Sequence, residues 1–78
     1  PAGKNDMRYA VRAGKREGGM SVWCYDDGRL VAVEAVYDAA AYRFGKKCLE
    51  NHLSPPPTDI VDSAFDLKRF ATATSGVQ

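Results

Sequence analysis

Cysteine is scarce in this chain, with two residues in 78. That number is too small for a disulfide framework, and the paired spacing of structural zinc sites is missing. No apolar run approaches the ~20 residues of a membrane-spanning helix, and no stretch has the form of a signal peptide. Nucleotide-binding glycine patterns are also missing: "AGKREGG", residues 13–19, lacks the ordered glycine–Lys–Ser/Thr spacing of a phosphate loop and is predicted to be a hairpin loop. These absences favour a reduced, cytoplasmic protein that does not insert into a membrane.

An excess of charge of one sign is missing too. Eleven basic and ten acidic residues leave a net charge of +1, which argues against a nucleic-acid binder. A chain of 78 residues suits one small domain. Because it starts with Pro1 and not with Met, we expect it to be a piece of a longer protein.

Three segments have the composition and alternation of β-strands, at residues 7–12, 20–25 and 29–36. Asp27 and Gly28 form a favoured two-residue hairpin turn, which predicts that Tyr25 lies opposite Leu30. In this register one face of the hairpin is entirely apolar and is predicted to be the core face: Met20, Val22, Cys24, Val31, Val33 and Ala35. The opposite face is predicted to be an interface with another domain or with a second copy of the chain: Trp23, Tyr25, Leu30 and Ala32.

Helical signals follow the strands. Asp38 can cap a helix that begins near Ala39, and "SPPP" at residues 54–57 ends it. A short helix is predicted through residue 61, and Asp66 is predicted to cap a last turn at residues 67–70. The fold class is therefore α+β, with a small antiparallel three-stranded sheet and helices on one face. Residues 1–6 are expected to be disordered or an artificial start, residues 7–70 the domain, and residues 71–78 a flexible tail.

The sequence has few candidate residues for metal binding or catalysis. Cys48 and His52 have i, i+4 helical spacing, and Cys24 could approach them, but a zinc site lacks its fourth ligand and the cysteines are better interpreted as small core residues. Asp26 and Asp27 favour the turn geometry and not acid–base chemistry. Glu34 is expected to form an ion pair with Arg8 or Arg12 if their strand lies beside it. Since no nucleophile, base and oxyanion site come together, the chain is not expected to be catalytic by itself.

A basic stripe follows the predicted first helix: Arg43, Lys46 and Lys47. Such a stripe is commonly a solvated face. It can also steer an acidic protein partner, because complementary charge raises the rate of association.

The segment "MSVWCYDDGRLVAVEAVYDAAAYRFGKKCLE", followed by "PPTDIVDSAFDLKRF", resembles the C-terminal domain of FAD-dependent NAD(P)H:ferredoxin reductases. These are flavoproteins of the putidaredoxin- and rubredoxin-reductase type, and the similarity runs over residues 7–70. The resemblance implies an α+β domain related to the dimerisation domain of disulfide reductases. It also implies a parent protein with FAD and NAD(P)H in upstream domains, and with a ferredoxin-type iron–sulfur protein as its redox partner. The cofactor motifs of the family lie outside this chain, so no cofactor is expected to bind here.

On this resemblance the chain is a non-catalytic domain that packs on the flavin domain, and the basic stripe helps to dock the ferredoxin. The chain departs from the family pattern at Tyr37, where asparagine is usual, and at Ala39 or Ala40, where proline is frequent. It also lacks the first strand of the family domain, so its open sheet edge is expected to favour self-association. The alternative is a free-standing α+β adaptor that forms oligomers through its aromatic sheet face.

Overall fold

A three-stranded antiparallel sheet is the centre of the fold in the computed structural model, which describes residues 7–75. The strands are β1 (Met7–Ala13), β2 (Met20–Asp26) and β3 (Arg29–Val36), in the order β1-β2-β3. Three helices follow: α1 (Ala39–Glu50), α2 (Pro57–Ile60) and α3 (Leu67–Ser75). The predicted α+β architecture is confirmed.

The helix boundaries follow local capping chemistry. The Asp38 carboxylate accepts a hydrogen bond from the Ala41 backbone N–H at 3.1 Å, as an N-cap should. Asp66 accepts from the Arg69 backbone N–H at 3.0 Å in the same manner. The prediction for the tail was wrong over residues 71–75, because α3 continues to Ser75 and buries Ala71 completely. Residues 1–6 and 76–78, which were predicted to be disordered, lie outside the described residues.

The register of the hairpin contains an irregularity that the sequence reading missed. Tyr25 pairs with Leu30 as predicted, but Cys24 pairs with Ala32. Val31 is thus an extra residue, a β-bulge, and the side chains of β3 exchange faces beyond it. Val33 accordingly pairs with Trp23, whereas an unbroken register from the turn would place it opposite Val22.

The helices cover the face of the sheet that was predicted to be outward. Trp23 and Tyr25 are buried together with Leu30, and they form the core with residues of all three helices. The predicted core residues of β2 point the other way: Met20, Val22 and Cys24 are only half-buried. We call the helix-covered side the inner face and the other side the outer face.

Polar partners explain why the aromatic side chains can be inside. The Trp23 indole Nε1–H donates a hydrogen bond to Ser21 Oγ at 2.9 Å, and both side chains are fully buried. The Tyr25 hydroxyl donates to the carbonyl of Pro55, in the proline-rich connection after α1. A buried indole or phenol is stable only when its polar atom is satisfied. The alternation of residues in the sequence defines the two faces of the sheet but does not show which one is buried. The hydrogen-bond acceptors Ser21 and Pro55 allow the face that carries Trp23 and Tyr25 to be inside.

Candidate functional surfaces

The residues predicted to form the interface are mostly part of the core of the domain. Trp23 and Tyr25 have exposed fractions of 0% and 1%, and Leu30 is buried as well. Ala32 alone is on the outer face, beside Cys24. The predicted interface is therefore wrong for Trp23, Tyr25 and Leu30, because the helices of this chain already cover them.

The outer face is the apolar surface that the domain leaves open. The register places its side chains in rows across the three strands: Met7, Tyr9, Val11, Met20, Val22, Cys24, Ala32 and Val36. Tyr9 is 66% exposed and Val11 is 53% exposed, whereas the members on the central strand β2 are half-buried by their neighbours. Glu34 also lies on this face, beside Val22 and on the edge strand.

Glu34 does not meet the arginines proposed as its partners. Strand β2 lies between β1 and β3, so neither Arg8 nor Arg12 neighbours Glu34 in the sheet. Arg12 and Glu34 are moreover on opposite faces, since Arg12 pairs with Ser21 of the inner face. The prediction of an ion pair between these strands is wrong for this geometric reason.

Arg12 instead fastens the C-terminal part of the chain to the sheet. Its Nη1 donates to the carbonyls of Ile60 and Asp62 at 3.1 and 3.0 Å, and its Nη2 donates to the carbonyl of Phe65 at 2.7 Å. The guanidinium carbon also lies 6.0 Å from the centroid of the Phe65 ring. The sequence analysis missed this role, and alternation alone could not reveal it, because the acceptors are backbone carbonyls 48 to 53 residues away.

The basic stripe lies on α1, the helix on which the sequence predicts it. Arg43, Lys46 and Lys47 are all exposed, and together with Tyr42 and Glu50 they line a shallow concavity of about 350 Å³. The Arg43 guanidinium carbon lies 5.4 Å from the Phe44 ring centroid. Because α1 packs on the inner face through its other side, the basic stripe and the outer face lie on opposite sides of the domain.

A larger groove of about 770 Å³ lies where the β1–β2 loop, the start of α1 and the α2–α3 connection meet. Lys15, Arg16 and Lys68 line it together with Asp38 and Asp66. The groove thus carries charges of both signs, and three of its charged groups already have backbone partners: Arg12 donates to carbonyls, and Asp38 and Asp66 accept from N–H groups.

The candidate metal ligands are on different sides of the sheet. Cys48 is fully buried on the helix-covered side, and Cys24 is on the outer face. His52 is exposed after the end of α1. Within residues 7–75, no group of three or more His, Cys, Asp or Glu side chains is placed to hold a metal ion.

Burial alters two ionisable groups in the core. Loss of solvation raises the pKa of the Cys48 thiol. Loss of solvation also raises the pKa of the Tyr25 phenol, and the nearby Cys48 and Asp59 add to the effect. Both groups are therefore neutral at physiological pH and act as core residues, not as nucleophiles.

Nothing in the described fold fits a dinucleotide. The sheet is antiparallel, and its passage from strand to helix consists of Tyr37 and Asp38. An Asp38 carboxylate already occupies the N-terminus of α1, where a dinucleotide-binding unit would have glycines and a pyrophosphate. None of the helices described in residues 7–75 has the length and apolar character needed to cross a membrane.

Comparison with known proteins gives two matches. The model of a family described as "Reductase C-terminal" matches residues 2–71. The crystal structure of the ferredoxin reductase for the CYP199A2 system from Rhodopseudomonas palustris is similar to the chain, with a TM-score of 0.77 and 34% sequence identity. The match covers 90% of this chain and 17% of that one. No curated protein matches the sequence.

Proposed function

Because the chain belongs to the reductase C-terminal family, we propose that it is the C-terminal domain of an FAD-containing, NAD(P)H-dependent ferredoxin reductase. The observation that supports this most is the 34% identity and TM-score of 0.77 to a ferredoxin reductase over 90% of the chain. The matched region is only 17% of that protein. The redox chemistry therefore belongs to the rest of a longer, cytoplasmic polypeptide.

The domain has no cofactor site of its own in this proposal. FAD and NAD(P)H are bound by upstream domains, which is supported by the similarity of this chain to 17% of a ferredoxin reductase. The domain packs on the flavin-binding part and presents α1 to a ferredoxin-type iron–sulfur protein. It contributes to binding and not to the chemical step.

The size and the flavin content of the native polypeptide test this proposal. An antibody raised against the 78-residue chain should detect a protein several times larger than 8.5 kDa in extracts of the source cells. That protein, once purified, should show flavin absorbance that NADH or NADPH bleaches. A native protein of about the size of this chain, or a longer one without flavin, would contradict the proposal.

The basic stripe supplies the contact with ferredoxin. Arg43, Lys46 and Lys47 are exposed and close together on α1, so their charges add in attracting an acidic protein surface. Such attraction mainly raises the association rate, and salt screens it over about 10 Å at 0.1 M.

Charge reversal tests the basic stripe in the full-length reductase. Lys46→Glu should lower the association rate with ferredoxin severalfold in 20 mM salt, measured by stopped-flow reduction, and the difference should shrink in 500 mM salt. Lys68→Glu is the matched control, because it makes the same charge change at an exposed position on α3. Equal effects of the two substitutions would remove the basic stripe from the docking surface.

The isolated chain should also self-associate, as a dimer or a larger assembly. Strands β1 and β3 are both edges of the sheet, and open edges pair with other chains. Sedimentation velocity over rising concentration should show growth beyond the monomer, and a pure monomer at millimolar concentration would refute this. The alternative of an adaptor that forms oligomers through Trp23 and Tyr25 loses its contact surface, because both are in the core.

A further inference from the structure

The larger groove, between the β1–β2 loop, the start of α1 and the α2–α3 connection, has an excess of positive charge. Four basic and two acidic side chains line it, which is a net charge of +2. Both acids are already in use as caps of α1 and α3. Lys15, Arg16 and Lys68 are exposed, and none of them has a hydrogen-bond or ion-pair partner among residues 7–75. The groove therefore has cationic groups available for an anion.

Close glycine contacts hold the wall that carries the two cations of the β1–β2 loop. A Cβ atom at Gly14 would come within 2.9 Å of Asp38 Oδ2, and one at Gly19 within 2.8 Å of the Tyr37 carbonyl oxygen. The Gly14 N–H donates to the Gly19 carbonyl at 2.8 Å, and the Gly19 N–H donates to the Arg16 carbonyl at 2.9 Å. The backbone of the loop is thus fixed directly against the connection between β3 and α1.

Tyr37 presents an exposed ring at this groove. Its φ is 51° and its side chain is 72% exposed, although it belongs to the lining. A bulky residue is unfavourable in the left-handed region, and backbone strain of this kind collects at ligand-binding sites, where function retains it. Since the ring gains little from packing within the domain, contact with a ligand accounts for a side chain that folding disfavours.

Much of the remaining lining is apolar. Phe44 of α1 and Phe65 of the α2–α3 connection contribute to it together with Ala40, Ala64 and Leu67. The volume of about 770 Å³ lies within the ~300–1,000 Å³ of small-molecule sites, which are mainly apolar and aromatic with a few polar groups. The chemistry that fits these walls is a flat apolar body with a negative group. Its ring can stack on an aromatic side chain, and its anion can accept charge-assisted hydrogen bonds.

We propose that this groove binds a small aromatic carboxylate, with the ring against Tyr37 and the carboxylate held by Lys15 and Arg16. A small molecule is the occupant because the site is a concave space enclosed by three segments of the chain. The groove and the basic stripe are lined by different residues, so this site goes beyond the proposed function. A ferredoxin on α1 and a carboxylate in the groove do not compete for the same side chains.

Lysine footprinting of the native polypeptide tests the site without any substitution. Naphthalene-2-carboxylate is the probe, and a ligand of this size should bind with a dissociation constant of about 1 mM. At 5 mM it should slow acetylation of Lys15 at least threefold, measured by mass spectrometry, and leave Lys46 on α1 unchanged. Naphthalene-2-carboxamide has the ring without the charge and acetate has the charge without the ring, so neither should protect Lys15.

Two exposed arginines provide matched variants for calorimetry with the same probe. Arg16 lies at the groove, whereas Arg29 begins β3 at the other end of the sheet. Arg16→Glu should weaken binding at least fivefold, and Arg29→Glu should leave it unchanged. Tyr37→Asn should weaken binding at least threefold while it raises the stability of the domain. Loss of folding cannot produce that combination.

Several results would overturn the inference. Equal binding by the Arg16→Glu and Arg29→Glu variants would exclude the loop cation from the site. Protection of Lys15 by acetate would mean that the groove attracts an adventitious ion only. A Lys15 that is unreactive before the probe is added would mean that another part of the polypeptide covers the groove.

Two further outcomes separate this inference from the proposed function. Protection of Lys15 by ferredoxin and not by the probe would overturn the inference, because an acidic protein would then be the occupant, and would leave the proposed function intact. A native protein without flavin would contradict the proposed function. Binding of the probe at Lys15 and Arg16 in that protein would still support the site.

Discussion

Gly45 of α1 lies directly against Val33 of β3. A Cβ atom added at Gly45 would come within 2.7 Å of Val33 Cγ1 and within 2.9 Å of its Cβ and Cγ2. Real Cβ atoms do not approach other atoms this closely, so α1 can rest at this distance from the sheet only because position 45 has no side chain. The contact holds α1 over the inner face and fixes the direction in which the basic stripe points.

Gly45→Ala should therefore destabilise the domain, although alanine usually has a higher helix propensity than glycine. Alanine in place of a glycine inside a helix stabilises it by about 1 kcal/mol, but overpacking against a stiff β-branched side chain costs about 1–3 kcal/mol. We expect a net loss of about 1 kcal/mol in the free energy of unfolding, measured with urea. Val33→Ala in the same chain should recover part of the loss, and a stabilising Gly45→Ala would show that the helix can shift away from the sheet.

Arg12 should be irreplaceable by lysine. The guanidinium donates to three carbonyls, one at the end of α2 and two in the connection between α2 and α3, and a single ammonium group cannot reproduce this fork. Arg12→Ala should cost about 2 kcal/mol of unfolding free energy, and Arg12→Lys should restore less than half of it. Arg16→Ala, on the exposed β1–β2 loop, is the control and should change stability by no more than about 0.5 kcal/mol. Full rescue by lysine would mean that charge alone, and not the fork, holds the segment.

Local signals in the sequence were sufficient for most of the fold. The Asp27-Gly28 turn, the alternating strands and the caps at Asp38 and Asp66 all depend on near neighbours, and each is where the sequence predicts it. The resemblance to ferredoxin reductases rested on the same segments, and the family and structural matches confirm it.

The inner and outer faces were exchanged for β2 and for Leu30, whereas Val33 and Ala35 do lie on the inner face as predicted. The exchange arose because the deciding contacts are not local. The bulge at Val31 changes the parity of β3, and the acceptor for the Tyr25 hydroxyl lies 30 residues away at Pro55. Both faces of the hairpin carry apolar residues, so alternation could not show which one the helices cover. The serine two residues before Trp23 was the one local hint that the indole could be buried.

Tyr37 has a backbone conformation that suits asparagine better. Its φ is 51°, in the left-handed region, and its side chain is 72% exposed, so the phenol ring gains little from packing. Asparagine tolerates this region far better than a bulky residue. Tyr37→Asn should raise the unfolding free energy by about 1 kcal/mol. Tyr37→Ala should bring no such gain, and equal gains from both would show that the backbone at this position is not the source of strain.

High pH should destabilise the domain because the buried Tyr25 phenol and Cys48 thiol must then lose their protons. Burial raises the pKa of Tyr25 and of Cys48 above the values that they have in an unfolded chain. The folded state therefore holds protons that the unfolded chain has already released, and its stability falls as the pH rises. The contribution of each group is complete below its unfolded pKa, about 8.5 for cysteine and 10 for tyrosine, and decreases by up to about 1.4 kcal/mol per pH unit above it.

Tyr25→Phe isolates the tyrosine part of this effect. At pH 7 the variant should lose about 1–3 kcal/mol, because the buried Pro55 carbonyl loses its donor. Above pH 10 the difference from the unchanged protein should narrow, since phenylalanine has no proton to release. Tyr9→Phe is the control, because Tyr9 is 66% exposed on the outer face, and it should keep the full pH dependence. A Tyr25→Phe curve that runs parallel to that of the unchanged protein from pH 7 to pH 12 would mean that Tyr25 ionises in the folded state as easily as in the unfolded chain.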